Sequence, residues 1–305
     1  MRTGLHIALG LSLAMLTGPM ARAQQDPMYS QYMFNTLAFN PAYAGSADVF
    51  TAMALSRHQW VGFAGAPSTQ TLALHSPLPG QTLSLGGTLV HDVTGPAKQS
   101  SVFADAAYRI RTGPGTRLAF GLKAGINFFQ ADIASLSTVE SDPVNANISG
   151  KVLPNVGFGV FWHSPTYYLG LSAPKLLENT IGTDGGVVTN REFRHYFLMG
   201  GYVMDVNRDL KFKPSVLMRV VQGAPLSLDI NANFLLRDKV WFGGMYRVGN
   251  GLGFMAQYRF NEQLRAGYAF DLTTRIAAYN AGTHEIMVSY DLRFTQGRTI
   301  SPRYF

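Results

Sequence analysis

The sequence predicts an all-β protein, a transmembrane outer-membrane β-barrel of about fourteen antiparallel strands that follows an irregular N-terminal segment. Three observations carry this prediction. The chain begins with an export signal, its later part consists of apolar runs separated by turn residues, and several of those runs alternate between apolar and polar positions. Strict alternation is typical of strands with one apolar and one polar face.

The composition excludes several classes of protein. The chain has 305 residues, of which 47% are hydrophobic, 12% aromatic and only 14% charged, and this balance excludes an intrinsically disordered protein. Because the chain has no cysteine, it has no disulfide framework, no thiolate metal site and no cysteine nucleophile. The length suits one or two domains, and single barrels often reach this size.

Residues 1–23 are predicted to be a cleaved signal peptide. Arg2 supplies the positive start, residues 5–16 form an apolar run, and Ala21 and Ala23 are small residues at the positions that a signal peptidase reads. A membrane anchor helix is the alternative, but the apolar run is shorter than the ~20 residues that a span needs. We therefore expect an exported protein whose mature chain begins at Gln24.

Residues 24–48 are predicted to form a separate plug or docking segment. They are rich in aromatic residues and asparagine, contain Pro27 and Pro41, and show no sustained period of 2 or 3.6. Two interpretations stay open, a plug folded into the barrel lumen and a periplasmic arm that docks a partner. Since exposed apolar clusters usually bind something, the candidate partner-binding residues here are Tyr29, Tyr32, Phe34, Asn35, Phe39, Asn40, Pro41 and Tyr43.

The barrel is predicted to span residues 49–305, and its two faces are clearest in the C-terminal third. The residues predicted to face outward are Leu226, Leu228, Ile230, Ala232, Phe234, Leu264, Ala266, Tyr268, Phe270, Leu272, Ile286, Val288, Tyr290, Leu292 and Phe294. The candidate lumen-lining residues are Asp229, Asn231, Asn233, Arg265, Asp271, Glu285, Asp291 and Arg293. In an outer-membrane barrel the apolar face meets lipid, whereas in a soluble sandwich it meets a second sheet.

The number and length of the runs favour the barrel over the sandwich. Candidate strands start near Val49, Thr69, Leu83, Ser101, Leu118, Asn155, Tyr167, Phe193, Leu210, Leu226, Val240, Leu252, Leu264 and His284. The number is even, as in bacterial barrels, and several runs are long enough for a tilted membrane strand. Connections at 248–253 and 260–263 are short, whereas those at 131–152 and 175–191 are long, which is typical of barrels with long extracellular loops.

Aromatic residues are candidates for the girdles that barrels carry where they meet lipid headgroups. The candidate girdle residues are Trp60, Trp162, Trp241, Tyr167, Tyr168, Tyr246 and Tyr258. Ordinary packing under loops is the alternative for each of them.

Signatures of catalysis are weak, and we predict no enzyme, cofactor or metal site. Residues 170–174 lack the closing glycine of a nucleophile elbow, and His284 and Glu285 are not followed by the second histidine of a zinc motif. His91 and Asp92 are interpreted as a turn pair. A barrel phospholipase that uses Ser and His on separate strands is a remaining alternative. Lys and Arg are scattered rather than clustered, so no nucleic-acid partner is expected. Those within strands, such as Lys123 and Lys213, are expected to line the lumen with the acidic residues.

Six stretches of the mature chain resemble, in order, the PorP/SprF family of outer-membrane proteins of the type IX secretion and gliding apparatus. These stretches are residues 24–46, 57–78, 167–177, 195–236, 279–294 and the terminal SPRYF. The resemblance implies a role with the periplasmic ring lipoproteins of the system, or in moving a surface adhesin with a C-terminal sorting domain across and onto the outer membrane. It also makes Pro302, Arg303, Tyr304 and Phe305 candidate partner-binding residues.

The alternative function is a general diffusion porin for small solutes. The two functions differ in whether the lumen is open or plugged, and the sequence leaves that choice open.

Overall fold

The protein folds into a closed barrel of 14 antiparallel strands, which confirms the predicted fold class. The computed structural model describes residues 27–133, 147–184, 187–273 and 281–292. The predicted signal peptide at residues 1–23, the candidate lumen residue Arg293 and the terminal residues 302–305 lie outside this part of the chain. Among the described residues, no helix is long and apolar enough to span a membrane.

Fourteen long strands form the wall, each paired with its sequence neighbour, and the first pairs with the last. They are β1 Phe50–His58, β2 Ser68–Pro77, β3 Leu83–Thr94, β4 Ala97–Gly113, β5 Thr116–Ala131, β6 Ile148–His163, β7 Tyr167–Ala173, β10 His195–Tyr202, β12 Leu210–Val221, β13 Ser227–Leu236, β14 Val240–Arg247, β15 Gly251–Arg259, β16 Leu264–Thr273 and β17 Thr283–Leu292. The ring closes because β1 pairs with β17 from Phe50↔Leu292 to His58↔His284, and β10 pairs with β12. A closed ring leaves no strand edge unpaired in lipid.

Every predicted strand start falls at or near a wall strand, and the differences lie in the connections. The strand β6 begins at Ile148 rather than near Asn155. The connection predicted as a long loop at 175–191 contains a hairpin of β8 Thr180–Asp184 and β9 Val187–Arg191, and the short β11 Met204–Asp205 extends β12.

The interpretation of His91 and Asp92 as a turn pair is wrong. Both residues lie in β3, because β3 and β4 continue to a tight turn at Gly95 and Pro96, where Gly95 has φ +56°. A positive φ is readily adopted only by glycine, so the turn forms there and not earlier.

The wall alternates between an exposed outer face and a buried inner face. Ile230 is 45% exposed, whereas its neighbour Asn231 is 3% exposed, and the same alternation repeats along β16 and β17. Apolar side chains therefore cover the outside and polar ones point inward, as in a barrel that sits in lipid.

The longest connections lie at one end of the barrel, although the turns at 95–96 and 248–250 at that end are short. Residues 114–115, 164–166 and 237–239 connect strands at the end that we call the short-turn end, where β1 starts and β17 finishes. The connections at 59–67 and 174–194 lie at the opposite, long-loop end. Since outer-membrane barrels have periplasmic short turns, we assign the long-loop end to the cell surface.

The structure contradicts the girdle assignment for two of the candidate aromatic residues. Trp162, Tyr246 and Tyr258 are exposed on the outer face, but Trp241 and Tyr168 are buried inside the barrel. The register explains the difference, because Trp241 pairs with the buried Leu235, and its neighbour Phe242 takes the outward position. The lumen therefore contains large aromatic side chains.

We predict that single cysteines will report the orientation, since the native chain has none. Phe63→Cys lies in the exposed connection at the long-loop end, and Glu262→Cys lies in an exposed turn at the other end. On intact cells a membrane-impermeant maleimide should label Phe63→Cys alone and should reach Glu262→Cys only after the outer membrane is permeabilised. The opposite labelling would reverse the assigned ends.

We also predict a depth-dependent cost of charge on the outer face. Ile230→Arg should destabilise folding into lipid vesicles by about 2–4 kcal/mol, because that side chain points into the hydrocarbon region. Leu226→Arg, on the same side of the chain but before β13 begins, is the control and should cost about 0–1 kcal/mol. Denaturant titration of vesicle-bound protein measures both, and equal costs would contradict the assigned lipid-facing surface.

Candidate functional site: a plugged lumen

Residues 27–49, which we call the plug, fold inside the barrel. They form three short helical turns, a 3-10 turn at Tyr32–Phe34, the helix α1 at Thr36–Phe39 and a second 3-10 turn at Pro41–Tyr43. Asn40 caps the last turn, because its side-chain oxygen accepts a hydrogen bond from the Ala42 N–H at 3.0 Å, and Pro41 occupies the first position. These caps let an aromatic-rich segment without periodicity form compact local structure.

The plug buries its candidate partner-binding residues. Phe34 is half-buried, and the buried ones are Tyr29, Tyr32, Asn35, Phe39, Asn40, Pro41 and Tyr43. Of the two interpretations left open by the sequence, the structure has the segment in the lumen. A partner would reach these side chains only after the plug had moved.

Glu285 holds the plug near the long-loop end. Its two carboxylate oxygens accept hydrogen bonds from the backbone N–H groups of Ser30, at 2.9 Å, and Gln31, at 2.8 Å. Arg57 neutralises this carboxylate at 2.9 Å and reaches Asp271 at 2.8 Å, while the Ser30 hydroxyl donates to Asp271 at 2.5 Å. We call these contacts the Glu285 latch.

A second ionic contact fixes the other end of the plug. Asp48 accepts hydrogen bonds from Arg109, at 2.9 Å, and from Arg117. Arg109 also donates to the Gly45 carbonyl at 2.6 Å. Gly45 has φ +69°, and a Cβ there would lie 2.2 Å from the Ser84 hydroxyl, so only glycine fits this crossing.

An aromatic cage around a lysine binds the middle of the plug. The Lys213 ammonium lies 5.4 Å from the ring centre of Phe34, 5.6 Å from Tyr168 and 5.4 Å from Trp241. Such rings attract a cation through their negative faces, and the attraction strengthens away from water. One ring belongs to the plug and two to the wall, so the buried cation joins them.

Glycines in the wall make room for the plug. A Cβ on Gly121 would lie 2.1 Å from the Ala42 backbone nitrogen, and one on Gly159 would lie 2.1 Å from the Asn40 side-chain oxygen. No real side chain tolerates these distances. The wall is therefore shaped to this segment.

The candidate lumen-lining residues that the structure describes, all except Arg293, lie on the inner face in two groups. In the first group, Asn231, Asp271 and Glu285 contact the plug. The Asn231 amide donates a hydrogen bond to the Tyr32 hydroxyl at 3.0 Å. Others pair along the wall: Asp229 with Arg247 through bonds of 2.9 and 2.8 Å, and Arg265 with Asp291 at 3.6 Å. Asn233 is buried on the same face.

Lys123 and Lys213, which the sequence predicts to line the lumen, are buried on the inner face, but Arg57 and Asp105 were not singled out. Both of these also point into the lumen, where Asp105 pairs with Lys123 at 2.8 Å. Arg57 stands on β1 beside the inward-facing Met53 and Leu55, so no polar stripe marked that face. The signal that could have found Arg57 is the clear alternation of the partner strand β17, whose inward-facing Glu285 pairs with Arg57.

The described part of the chain offers no obvious metal chemistry. No three of its His, Asp or Glu side chains form a group that could hold a metal ion. The buried carboxylates of the latch are instead used to bind Arg57 and the plug backbone.

The family follows from a match over most of the chain. A family model described as type IX secretion system membrane protein PorP/SprF matches residues 21–290. The chain belongs to the PorP/SprF family. The family match confirms the resemblance drawn from the motifs and makes this PorP/SprF protein a membrane component associated with type IX secretion. No curated protein matches the chain.

The search of solved structures found similarity to outer-membrane proteins. Omp33 of Acinetobacter baumannii has a TM-score of 0.47 at 9% identity, covering 80% of this chain and 98% of that chain. A Pseudomonas aeruginosa FadL homologue has a TM-score of 0.47 at 11% identity, covering 88% and 95%. A mutant of Rh. blastica porin has a TM-score of 0.35 at 11% identity, covering 80% and 99%. The fold assignment rests on the strand pairing and not on these similarities.

We predict that a single methyl group on the inner wall will dislodge the plug. Gly121→Ala places a Cβ against the plug backbone and should destabilise the plugged state by about 1–3 kcal/mol. Gly244→Ala is the control, since a Cβ on this outward-facing glycine has its nearest neighbour at 3.7 Å. In planar bilayers Gly121→Ala should conduct ions more often than the control. Equal conductance of two folded variants would show that the wall does not depend on this glycine.

Proposed function

We propose that this PorP/SprF protein is a closed, non-enzymatic component of the type IX secretion system that works by contact with other proteins. In this proposal it docks the periplasmic ring lipoproteins, aids export or surface attachment of a cargo with a C-terminal sorting domain, or does both. The observation that carries the proposal is the plug, which occupies the lumen and is fixed at both ends.

The plug favours this role over a diffusion porin, whose lumen must be filled with water. If the plug left, Glu285 would lose two backbone hydrogen bonds and Asp48 would leave Arg109, and each hydrogen bond to a charged group is worth about 1.5–3 kcal/mol. The closed state should therefore dominate at equilibrium. A lumen that stays closed leaves the outer rims as the surfaces available to partners.

The short-turn end supplies a surface that suits a periplasmic protein. Val206 and Phe260 are exposed in turns at this end, beyond the strands. Because both turns lie at the end assigned to the periplasm, we take these two side chains as candidate contacts for a periplasmic partner. The plug also returns to the wall here, so a partner at this end would touch the chain next to Asp48.

The buried charges support a role without catalysis. Glu285, Asp271 and Asp229 are each paired with an arginine inside the wall. Glu285 also accepts two backbone hydrogen bonds from the plug, so these carboxylates serve as contacts within the chain.

Conductance and crosslinking together test the proposal. The native protein should stay closed in planar bilayers, and crosslinking in intact cells should recover ring lipoproteins or a sorting-domain cargo, identified by mass spectrometry. Val206→Asp combined with Phe260→Asp should reduce ring crosslinks by at least about ten-fold, because charge enters an apolar contact.

Phe63→Asp, at the exposed long-loop end, is the matched control and should leave ring crosslinks unchanged. Steady conductance by the native protein would favour the porin. Unchanged ring crosslinks in the double variant would remove the short-turn end as the docking surface.

A further inference from the structure

A segment that follows β7 turns from the wall into the mouth of the lumen at the long-loop end. We call residues 174–182 the strap. It leaves the wall where a Cβ on Gly157 of β6 would lie 2.3 Å from the Pro174 carbonyl oxygen, so this glycine makes room for it. Further along, Ile181 is fully buried in one apolar cluster with Phe129, which points inward from β5. The strap therefore lies on the lumen side of the wall.

Side chains, and not a strand ladder, attach the strap to β6. Wall strands are joined by ladders of backbone hydrogen bonds. Between the strap and β6, the backbone bond seen within the described residues runs from the Leu176 N–H to the Val156 carbonyl at 2.8 Å. Next to it, the Asn155 side chain accepts from the Leu177 N–H at 3.0 Å and donates to the Leu177 carbonyl at 2.9 Å. The strap can therefore separate from β6 without breaking a strand pair of the wall.

A buried carboxylate pins the strap in place. Glu192 directly follows β9, which pairs with the end of the strap. It accepts a hydrogen bond from the Asn179 amide of the strap at 2.7 Å. It also accepts hydrogen bonds from two wall residues, Asn127 of β5 at 2.6 Å and Asn155 of β6 at 3.3 Å. Because hydrogen bonds to a charged group are stronger than neutral ones, Glu192 is the main polar link between the strap and the wall.

A cavity of about 70 Å³ lies between the start of the strap, the plug and the wall. Its lining includes Tyr29 and Phe39 from the plug, Ser101 and Lys123 from the wall, and Pro174 and Lys175 from the strap. The strap thus forms one side of this cavity at the end that we assign to the cell surface. Moving the strap would open the cavity to the outside.

We propose that the strap is a lid that opens toward the cell surface independently of the plug. Its contacts named above involve β5, β6 and Glu192, whereas the Glu285 latch involves β1, β16 and β17. Opening would expose Tyr29 and Phe39 of the plug to a molecule outside the cell while the latch stays closed. The lid does not depend on the docking surface proposed at the short-turn end.

A cysteine in the cavity tests the lid on intact cells. Ser101→Cys introduces a thiol of similar shape at a buried position that lines the cavity. A membrane-impermeant maleimide should label it about ten-fold faster when Ile181→Asp is added, because a charge is unstable in the apolar cluster that holds the strap. Leu177→Asp is the control, since it places the same charge on the strap at a side chain that is already 44% exposed, and it should leave the labelling rate unchanged.

A second cysteine separates movement of the strap from movement of the plug. Ser289→Cys lies on the inner face of β17 and is buried. It should stay unlabelled from outside the cell when Ile181→Asp is present. Glu192→Gln keeps the size of the pin but removes its charge, and it should speed the labelling of Ser101→Cys alone.

Three results would overturn the proposal. One is an equal labelling rate of Ser101→Cys with and without Ile181→Asp. Another is an equal increase with Leu177→Asp, which would trace the effect to charge and not to the apolar cluster. The third is faster labelling at both cysteines, which would show that the strap and the plug move as one unit. If Ile181→Asp fails to show heat-modifiable migration, Ile181→Ala supplies the same comparison with a milder change.

Discussion

The closed lumen depends on one carboxylate more than on any other group. Glu285 is fully buried, and it accepts two consecutive backbone N–H groups of the plug while Arg57 cancels its charge. The backbone N–H groups of a barrel wall pair between strands, and the wall backbone contact described for the plug is the Val160 carbonyl, which accepts a hydrogen bond from the Asn40 amide at 3.0 Å. Side chains must therefore hold the plug backbone, and a buried charge does so only when a counter-charge accompanies it. The placement of Arg57 opposite Glu285 across the closing β1–β17 pair follows from that requirement.

The sequence predicted the wall well because lipid and water impose opposite demands on alternate residues. Along β13, β16 and β17 the inner face is polar and the outer face apolar, so both strand starts and faces could be assigned. The same reasoning failed where the lumen is apolar. Trp241 and Tyr168 point at the plug and not at lipid, and an aromatic residue alone does not reveal which apolar environment it enters.

The plug itself could be recognised but not placed. Its aromatic density and lack of period marked it as ordered and irregular, yet nothing in residues 24–48 alone decides between an arm and a plug. The decision lies in partners far along the chain, such as Glu285 for Ser30 and Gly121 for Ala42. From the sequence alone, a glycine within a strand indicates only a weakened strand. Its role in making room becomes clear once the backbone that packs against it is known. The alternation of apolar and polar residues within one strand does not reveal such contacts between distant parts of the chain.

The direction of the plug determines how it could leave the lumen. Ser30 binds near the long-loop end and Asp48 near the short-turn end. The plug therefore runs from the long-loop end to the short-turn end, and β1 runs in the opposite direction. Its C-terminal end is joined covalently to β1, and its N-terminal end is held by non-covalent contacts. For the segment to leave the lumen, the contacts with Glu285 would have to break while the chain stays joined to β1. A periplasmic partner at the short-turn end would act next to Asp48, whereas a ligand at the cell surface would act on the latch itself, and these two routes make different residues decisive.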